Sequence, residues 1–277
     1  MHPKSQHLSP YNFDLLVKVV PQLKPLVFKN EHGTETIDFS NPEAVLLLNK
    51  ALLAHHYGIT DWHLPAGYLC PPIPGRVDYI HHIADLLKTS KKCKGLDIGT
   101  GANAIYTLLG HATYQWDMVG TDIQKASVEI AKANTALYAK HIDIRHQMDN
   151  AHLFKGVVYE GEYFDFTVCN PPFYASAKEA ERANTIKAIH LGQKEASRNF
   201  GGQANELWCN GGEALFIKRL IKESVHFKDQ VGWFTALVSR KQHLPKIYKQ
   251  LDKLKASHKT IDMSQGNKQS RFVAWTF

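Results

Sequence analysis

The sequence predicts an α/β fold in which a doubly wound, mostly parallel sheet carries an antiparallel pair of strands at its edge. From Gly95 onward, short apolar runs such as "GLDIG", "DMVGTDI" and "FDFTVCN" alternate with segments of helical apolar periodicity. This alternation is typical of βαβ units, whose strands run parallel. The last two apolar runs, "HKTIDMSQ" and "RFVAWTF", are separated by a short polar stretch and predict a terminal hairpin.

Residues 1–75 lack this alternation, and we expect them to form an N-terminal extension to a domain that spans residues 76–277. Within the extension, a helix is predicted over Asn41–Tyr57, with Ser40 or Asn41 as its N-cap. Pro-rich, aromatic segments surround this helix and end in "LCPPIPGR". Because proline interrupts regular secondary structure, these segments are predicted to be loops.

The remaining segments follow in the order that a doubly wound fold requires. A helix is expected from about Val77 to Leu87, followed by the strand "GLDIG" and the helix "TGANAIYTLLGHA". The strand "DMVGTDI", the helix "KASVEIAKANTALYAK" and the strands "IDIRHQ" and "FDFTVCN" come next. The segment "CNGGEALFIKRLIKESVHF" is expected to be a capped helix, "VGWFTALVS" a buried strand, and "KQHLPKIYKQLDKLKAS" a basic helix before the hairpin.

Composition indicates a soluble globular protein. With 277 residues, of which 44% are hydrophobic, the chain is long enough for a sizeable core. The N-terminal "MHPKSQHLSPYNF" lacks the apolar segment of a signal peptide, and no run of about eighteen apolar residues occurs. We therefore expect a cytoplasmic protein without a membrane span. Nothing in the sequence requires an oligomer, so a monomer is expected.

The cysteines and histidines do not form a recognisable metal motif. The four cysteines are scattered without a CxxC pair, which indicates reduced thiols. Two adjacent pairs, His55–His56 and His81–His82, stand out among the sixteen histidines. Adjacent side chains on one element point in different directions, and no HExxH motif or Cys/His cluster accompanies them. No metal cofactor is expected.

Positive charge is concentrated near the C-terminus. Between Arg240 and Arg271, nine Lys and Arg side chains accompany two carboxylates, an excess equal to the net charge of +7 of the whole chain. A basic surface of this size favours a polyanionic partner such as RNA. Lys249, Lys253 and Lys255 of the basic helix are candidate RNA-binding residues. The same helix has regular apolar spacing, so a solvated helix face explains the pattern as well.

A candidate nucleotide site follows the strand "GLDIG". Gly99 and Gly101 let the backbone pass close beneath a ligand, and the helix that follows offers its N-terminus. Asp122 ends the next strand, 21 residues beyond Gly101, where a carboxylate can accept hydrogen bonds from both hydroxyls of a ribose. The pattern suits an adenosine-containing ligand, either NAD or S-adenosylmethionine.

Three features favour S-adenosylmethionine over NAD. Ala104 replaces the third glycine of the dinucleotide fingerprint GxGxxG. Asp97, before the glycine turn, is placed to take the ammonium group of the ligand, directly or through water. The sequence "NPPF" (Asn170–Phe173) follows the fourth strand, where a nicotinamide enzyme has no use for it. We therefore expect S-adenosylmethionine as the cofactor.

The turn formed by Asn170, Pro171, Pro172 and Phe173 is the candidate catalytic element. Proline cannot continue a strand ladder, so the chain leaves the sheet at Asn170 in a stiff, extended turn. Strand order brings this turn beside the glycine turn, and Asn170 is therefore expected to contact the cofactor as well. The Asn170 side-chain oxygen and the Pro171 carbonyl can accept both N–H bonds of a planar amine such as adenine N6, and Phe173 can stack on the base. The alternative is a strand stop that packs Phe173 inward.

Beyond these motifs, the sequence resembles the large-subunit ribosomal RNA adenine-N6 methyltransferase F family, which is related to the methyltransferase-like adenine-N6 RNA methyltransferases. The matching segments span most of residues 2–221 and are "HPKSQH", "YNF", "LCPPIPGRVDYIHHIADLL", "LDIGTGANAIY", "GTDI", "CNPPF" and "NGGEALFIKRLI". The resemblance implies a Rossmann-like class I S-adenosylmethionine-dependent methyltransferase with a seven-stranded, mostly parallel sheet and an antiparallel C-terminal hairpin. It also implies N6-methylation of one adenine, at position 1618 of 23S ribosomal RNA, in the naked RNA or in a large-subunit assembly intermediate.

The same resemblance implies roles for residues outside the two turns. Arg76 is expected to reach the carboxylate of the methionine part of the cofactor, while Asn103 and Asn150 complete the cofactor pocket. The extension, residues 1–75, is expected to bind RNA or to position the substrate. Lys4 is its candidate RNA contact.

Other functions stay open on the residues alone. The same fold methylates other planar amines, such as DNA adenine or a glutamine of a protein. A non-catalytic RNA-binding protein of ribosome assembly would use the basic helix without needing an intact pocket, and a dehydrogenase would use the glycine turn for NAD. A methyl-transfer assay with labelled cofactor separates these functions.

Overall fold

A seven-stranded sheet forms the centre of the computed structural model, which describes residues 1–89, 91–174, 176, 178–179, 208–265 and 268–277. The extension contributes α1 (Phe13–Val19), β1 (Val27–Lys29), β2 (Glu35–Ile37) and α2 (Pro42–Tyr57). The sheet and its helices follow as α3 (Ile73–Leu87), β3 (Lys94–Ile98), α4 (Ile105–Tyr114), β4 (Asp117–Asp122), α5 (Lys125–Thr135), β5 (Ile142–His146), β6 (Phe164–Cys169), α6 (Gly212–Ser224), β7 (Val231–Leu237), α7 (Leu244–Lys253), β8 (Ser257–Gln265) and β9 (Lys268–Thr276).

Five of the seven strands form parallel pairs with their neighbours. The order across the sheet is β5-β4-β3-β6-β7-β9-β8. Strands β3 to β7 pair in parallel, whereas β9 is antiparallel to both β7 and β8. This confirms the predicted doubly wound sheet and its terminal hairpin. The chain order reverses at β3, so the ends of β3 and β6 flank the crevice in which sheets of this kind bind ligands.

The predicted helix of the extension is confirmed as α2. Asn41 is its N-cap, and the Asn41 side-chain oxygen accepts hydrogen bonds from the backbone N–H groups of Glu43 (3.0 Å) and Ala44 (3.4 Å). These bonds satisfy donors that have no partner within the helix. Gly58 follows in the left-handed conformation and ends the helix.

Helix α3 begins earlier than predicted. Its first residue is Ile73 rather than Val77, because Pro72 occupies the N-cap position and Pro74 the first turn, where the missing N–H of proline costs no hydrogen bond. The first turn of α3 therefore includes Arg76. The domain boundary between residues 75 and 76 falls within this turn and stays a prediction.

The segment "CNGGEALFIKRLIKESVHF" forms α6, but no side chain caps this helix. Gly211 and Gly212 precede and begin it with φ angles of 79° and 62°, so two left-handed glycines make the turn instead. The buried Glu213 carboxylate in the first turn accepts hydrogen bonds from the Ser239 backbone N–H (2.6 Å) and from His243 Nδ1 (2.6 Å). This contact joins the start of α6 to the loop that follows β7.

Two hydrophobic cores flank the sheet. One contains side chains of α6, α7 and β9, including Ile217 and Trp275. The other contains side chains of α3 and α4, such as Ile80, together with side chains of α1 and α2, such as Leu52. Buried residues of the extension therefore share a core with the helices that flank the glycine turn.

The two histidine pairs contact the N-terminal segment of the chain. The His2 ring stacks on His81 at a centroid distance of 5.2 Å, and the His7 ring lies edge-on to His56 at 4.9 Å. Among the described residues, no group of three or more His, Cys, Asp or Glu side chains is arranged to hold a metal ion. In the same part of the chain, no helix combines the length and the hydropathy needed to cross a bilayer.

Candidate active site

The glycine turn between β3 and α4 has three residues with positive φ. The values are 76° for Gly99, 62° for Gly101 and 49° for Ala104. The backbone N–H groups of Gly99 and Thr100 both donate to the Thr121 carbonyl at 2.9 Å, which holds the turn against the end of β4. No described atom lies within 4 Å of the point where a Gly99 side chain would begin. Glycine here provides both the backbone conformation and open space for a ligand.

Asp97 lies in β3, directly before this turn, and is fully buried. Neither of its carboxylate oxygens has a hydrogen-bond partner among the described residues. Burial raises the pKa of Asp97 from 3.8 to about 7, and the neighbouring Asp122 carboxylate contributes to the increase. The nearby Thr100 hydroxyl, which does not reach hydrogen-bonding geometry, and Arg76 oppose it. An unpaired buried carboxylate is costly. The site therefore fits a ligand that brings a cationic group.

Asp122 ends β4 and binds the backbone of the glycine turn. Its Oδ2 accepts a hydrogen bond from the Gly101 N–H at 3.0 Å, and its Oδ1 accepts one from the Gln124 N–H at 2.8 Å. Burial raises the pKa of Asp122. A carboxylate offers about four lone-pair sites, so both oxygens keep capacity for the hydroxyls of a ligand.

A cavity of about 620 Å³ opens at the carboxyl edge of β3, β4 and β6. This volume is within the range of about 300–1,000 Å³ that small-molecule sites occupy. The predicted residues that line it are Arg76, Gly99, Gly101, Asn103, Asp122, Asn150, Asn170 and Pro172. Asp97, Pro171 and Phe173 do not contribute to the described lining. Most of the predicted cofactor residues, and Asn170 and Pro172 of the catalytic turn, thus line one cavity.

Arg76 and Asn103 lie on the same wall. The Arg76 Nη1 donates a hydrogen bond to the Tyr106 hydroxyl at 2.8 Å, and the guanidinium carbon lies 5.5 Å from the Tyr106 ring centroid. Burial raises the pKa of Tyr106 to about 12, so this hydroxyl stays protonated. The Asn103 side chain is held by the Ile105 N–H (3.1 Å) and the Leu69 carbonyl (3.3 Å). These contacts fix both side chains at the cavity wall.

The catalytic turn presents an unused acceptor. The Asn170 Oδ1 is buried and has no hydrogen-bond partner among the described residues. Pro171 is buried, whereas Phe173 is half-buried. The Phe173 ring lies edge-on to the Tyr174 ring at a centroid distance of 6.5 Å. The register of β3 and β6 pairs Ile98 with Cys169, which precedes Asn170. The unpartnered oxygens of Asp97 and Asn170 therefore belong to neighbouring strand ends.

Several cavity residues were not predicted from the sequence. Trp208 lines the cavity and pairs with Tyr174 in an isolated bridge, and the Cys209 N–H donates to the Tyr174 carbonyl at 3.1 Å. Arg219 of α6 also lines it, and its Nη2 donates to the Asn150 carbonyl at 2.7 Å. No local motif marks Trp208. Arg219 lies in the matching segment "NGGEALFIKRLI", but its spacing there does not set it apart, because it reaches the cavity through tertiary contacts.

Gln147 is another lining residue, and the sequence does contain a signal for it. It directly follows β5, one position beyond His146, which pairs with Asp122 at the end of β4. Its side chain holds the wall that continues to Asn150, with Nε2 donating to the Lys155 carbonyl (2.9 Å) and Oε1 accepting from the Asp149 N–H (3.0 Å). A polar residue directly after a parallel strand is the sequence feature that indicates Gln147.

The candidate RNA-binding lysines lie apart from the cavity lining. Lys249 and Lys253 are exposed on α7, and Lys255 is exposed just after it. Strand β7 ends at the carboxyl edge, and β8, which follows α7, begins at the amino edge, where Ser257 pairs with Thr276. The ten residues of α7 therefore lead back toward the amino edge, over about 15 Å. The ammonium of Lys4 lies 3.8 Å from a carboxylate oxygen of Asp85 on α3. Neither group lies next to the catalytic turn in sequence or in the lining.

Comparisons with known proteins agree on one family. A family model described as RNA methyltransferase matches residues 1–277. The chain is 58% identical to the ribosomal RNA large subunit methyltransferase F of Christiangramia forsetii, over 100% of both chains. It is 50% identical to the protein of that name from Flavobacterium johnsoniae, over 100% of this chain and 93% of the relative.

Solved structures give the same answer. The catalytic domain of human METTL16 in complex with the MAT2A 3′UTR hairpin 6 matches with a TM-score of 0.86 and 29% identity, over 100% of this chain and 97% of that chain. The N-terminal domain of human METTL16 in complex with SAH matches with a TM-score of 0.81 and 26% identity, over 100% of this chain and 98% of that one. These similarities confirm the predicted fold class, family and enzyme class. The chain therefore belongs to the RNA methyltransferase family.

Proposed function

We propose that this chain uses S-adenosylmethionine to methylate the N6 atom of a single adenine in 23S ribosomal RNA. The observation that carries the proposal is the pair of buried, unpartnered acceptors, Asp97 and Asn170, at neighbouring strand ends beside one cavity. One acceptor suits the cation of the cofactor and the other the amino group of a base. The relatives' name, ribosomal RNA large subunit methyltransferase F, supports ribosomal RNA as the substrate.

The residues in and beside the cavity suit the ammonium, carboxylate and ribose groups of S-adenosylmethionine. Asp97 accepts the ammonium group, directly or through water, and Arg76 takes the carboxylate of the methionine part. Asp122 accepts the ribose hydroxyls, and Asn103 and Asn150 complete the walls. When bound, the cofactor supplies a methyl group on a positively charged sulfur. The METTL16 structure in complex with SAH supports this cofactor.

The catalytic turn acts on the adenine amino group. The lone pair of this nitrogen is delocalised into the ring, which makes it a poor nucleophile. The Asn170 Oδ1 and the Pro171 carbonyl accept its two N–H bonds, favour rehybridisation and orient the lone pair toward the cofactor. Phe173 stacks on the extracted base, a contact worth about 1–3 kcal/mol. A strong base is not needed, because an alkylated nitrogen loses its proton readily.

The remaining parts of the proposal concern the RNA. Residues 1–75 bind RNA or position the substrate as an extension of the catalytic domain, 76–277, and Lys4 and the lysines of α7 contact phosphates. The protein acts as a cytoplasmic monomer on 23S RNA or on a large-subunit assembly intermediate. The METTL16 catalytic domain in complex with an RNA hairpin supports RNA over DNA or a protein as the substrate class.

Mapping N6-methyladenine in ribosomal RNA by mass spectrometry tests the proposal. We expect one adenine of 23S RNA to lose its methyl group when the gene is deleted and to regain it when the wild-type gene is restored. Restoration with Asn170→Ala should fail. Purified protein with tritiated S-adenosylmethionine should label 23S RNA and neither DNA nor protein. Labelling of DNA or of a protein amide alone would overturn the assignment of the substrate.

Asp122→Ala should weaken binding of S-adenosylhomocysteine by about 1–3 kcal/mol, because the ribose hydroxyls lose a charged acceptor. The variant also frees the Gly101 N–H, so the loss should lie toward the upper end of this range. Isothermal calorimetry measures the affinity. Asp117→Ala, the same substitution at the start of β4, should leave it unchanged. Equal affinity of the wild type and a folded Asp122→Ala variant would remove Asp122 from the site.

Replacing Lys249, Lys253 and Lys255 by Glu should weaken binding of a long 23S RNA fragment. Phosphate contacts release counterions, so the slope of log affinity against log salt should become shallower by about 2. A short hairpin that carries the target adenine should be affected less, because these lysines extend toward the amino edge. Fluorescence anisotropy at several salt concentrations measures both RNAs.

A charge-matched control separates local contacts from the loss of net charge. Lys132, Lys140 and Lys228 are exposed lysines on other parts of the surface, and their replacement by Glu changes the net charge equally. The control triple should keep the wild-type salt slope. Identical slopes for both triples would show that the α7 lysines are only a solvated helix face.

A further inference from the structure

The extension is hydrogen-bonded to the backbone of the glycine turn. Trp62 is almost fully buried, and its indole Nε1 donates to the Asn103 carbonyl at 2.8 Å. In the opposite direction, the Asn103 Nδ2 donates to the Leu69 carbonyl at 3.3 Å. Leu69 and Asn103 both line the cavity. Residues of the extension therefore touch the turn on the side where it borders the cavity.

Asn134 of α5 completes this connection. It is buried, its Oδ1 accepts from the His63 N–H (2.8 Å), and its Nδ2 donates to the His63 carbonyl (2.9 Å) and to the Ala102 carbonyl (3.0 Å). The Asn134 amide thus pairs with both the backbone N–H and the backbone carbonyl of His63 in the extension. It also holds the glycine turn through the Ala102 carbonyl. Two consecutive carbonyls of the turn, at Ala102 and Asn103, each receive a side-chain donor.

The residue after these carbonyls is under backbone strain. Ala104 is fully buried and adopts a φ of 49°, in the left-handed region that disfavours residues with a Cβ. It occupies the position of the third glycine of the dinucleotide fingerprint. A glycine there would adopt the same φ without strain. Strained backbone persists only where the surrounding structure holds it. The described donors to the preceding carbonyls come from Trp62 and Asn134.

We propose that Trp62 and Asn134 are positioning residues for the cofactor, which hold the strained end of the Gly99–Ala104 turn in its ligand-binding conformation. The inference rests on the proposed S-adenosylmethionine site. The extension then has a second role besides RNA, because part of it maintains the cofactor turn. Trp62 acts through the Asn103 carbonyl and not through contact with the ligand.

Trp62→Phe tests the proposal by removing the indole donor while keeping an aromatic ring in the core. Trp275→Phe is the matched control, since Trp275 is also buried and donates one hydrogen bond, to the Ser224 Oγ at 3.0 Å, in the other core. Both variants should lower the Tm. Only Trp62→Phe should raise the Kd for S-adenosylhomocysteine, by about tenfold, the effect of one lost hydrogen bond.

The steady-state constants and a rescue variant distinguish positioning from general destabilisation. In Trp62→Phe, the KM for the cofactor should rise while kcat and the KM for RNA stay near the wild-type values. Adding Ala104→Gly should restore the affinity to within about threefold, because glycine adopts a positive φ without strain. Asn134→Asp keeps the oxygen that accepts from the His63 N–H but loses the amide N–H groups that donate to the His63 and Ala102 carbonyls. It should also raise the Kd for S-adenosylhomocysteine, and it replaces Trp62→Phe in the test if that variant does not fold.

The possible outcomes are distinct. Equal Kd values for Trp62→Phe and Trp275→Phe would overturn the inference but not the proposed cofactor. The same conclusion would follow if adding Ala104→Gly to Trp62→Phe did not restore the Kd. With Asn134→Asp as the variant, a wild-type Kd would overturn it. Wild-type protein that binds no S-adenosylhomocysteine would overturn the proposed cofactor and, with it, this inference.

Discussion

Asn170→Ala should reduce the rate of methyl transfer to ribosomal RNA by at least about a hundredfold, equivalent to about 3 kcal/mol of transition-state stabilisation. The variant removes an acceptor that holds the adenine amino group. Loss of one well-placed hydrogen-bonding group in a water-excluded site costs about 2–4 kcal/mol, which agrees with this estimate. Single-turnover measurements with saturating cofactor and RNA report the chemical step directly.

The structure separates this effect from a loss of folding. The Asn170 Oδ1 has no hydrogen-bond partner among the described residues, so its removal breaks no described bond of the ligand-free protein. The Tm of Asn170→Ala should therefore equal or exceed that of the wild type, since an unpartnered buried polar atom costs free energy. The affinity for S-adenosylhomocysteine should change little.

Two further substitutions divide the role of the turn. Asn170→Asp keeps the size and an acceptor oxygen but loses the amide N–H₂ that orients it, so its rate should lie between those of Asn170→Ala and the wild type. Phe173→Ala should act mainly on capture of the extracted base and raise the KM for RNA more than it lowers kcat. Wild-type rates from Asn170→Ala would mean that the turn is a structural strand stop.

The sequence predicted the parts of the site that local chain geometry determines. Asp122 ends a strand, Asn170 follows one and Asp97 is the last but one residue of another. Parallel strands carry such residues to the same edge of a sheet. The glycines of the turn were recognisable because a strand-to-helix turn needs positive φ values. These residues depend on the order of the strands, and this order follows from the alternation of apolar runs.

Residues that reach the site through tertiary contacts were not predictable. Trp208 becomes part of the cavity through its bridge to Tyr174, and Trp62 contacts the glycine turn although 41 positions separate it from Asn103. Neither tryptophan belongs to a sequence motif whose local geometry would place it at the site. The direction of α7 determines at which edge of the sheet its lysines lie. The number of charged residues does not predict this.

Asp97→Asn should have opposite effects on stability and on cofactor binding. At pH 8 it should make the ligand-free protein more stable, because it removes a buried carboxylate whose oxygens have no described partner. The folded-state pKa of about 7 lies above the ordinary value of 3.8. A difference of this size corresponds to about 4 kcal/mol at about 1.4 kcal/mol per pH unit. We expect a gain of a few kcal/mol at most, because the structure relaxes around the change.

The pH dependence follows from the same values. Between pH 4 and 7 the folded protein binds more protons at Asp97 than the unfolded chain does, so its free energy of unfolding falls as pH rises through this window. The stabilising proton is half lost at about pH 7 and almost fully lost by about pH 8. Asp97→Asn carries no such proton, and its stability relative to the wild type should grow across the window. Urea unfolding at several pH values measures the difference, and Asp229→Asn, which replaces an exposed carboxylate just before β7, is the control.

Cofactor binding should respond in the opposite direction. Only the ionised Asp97 attracts an ammonium group, so below pH 7 the wild type must release a proton before it binds S-adenosylhomocysteine. Its affinity should fall by about tenfold for each pH unit below 7, and calorimetry in buffers of different ionisation enthalpy should detect about one proton released. Asp97→Asn should bind weakly at every pH and release none. A wild-type affinity that stays constant from pH 5 to 8 would mean that Asp97 does not receive the ammonium group, and its raised pKa would then be only a consequence of burial.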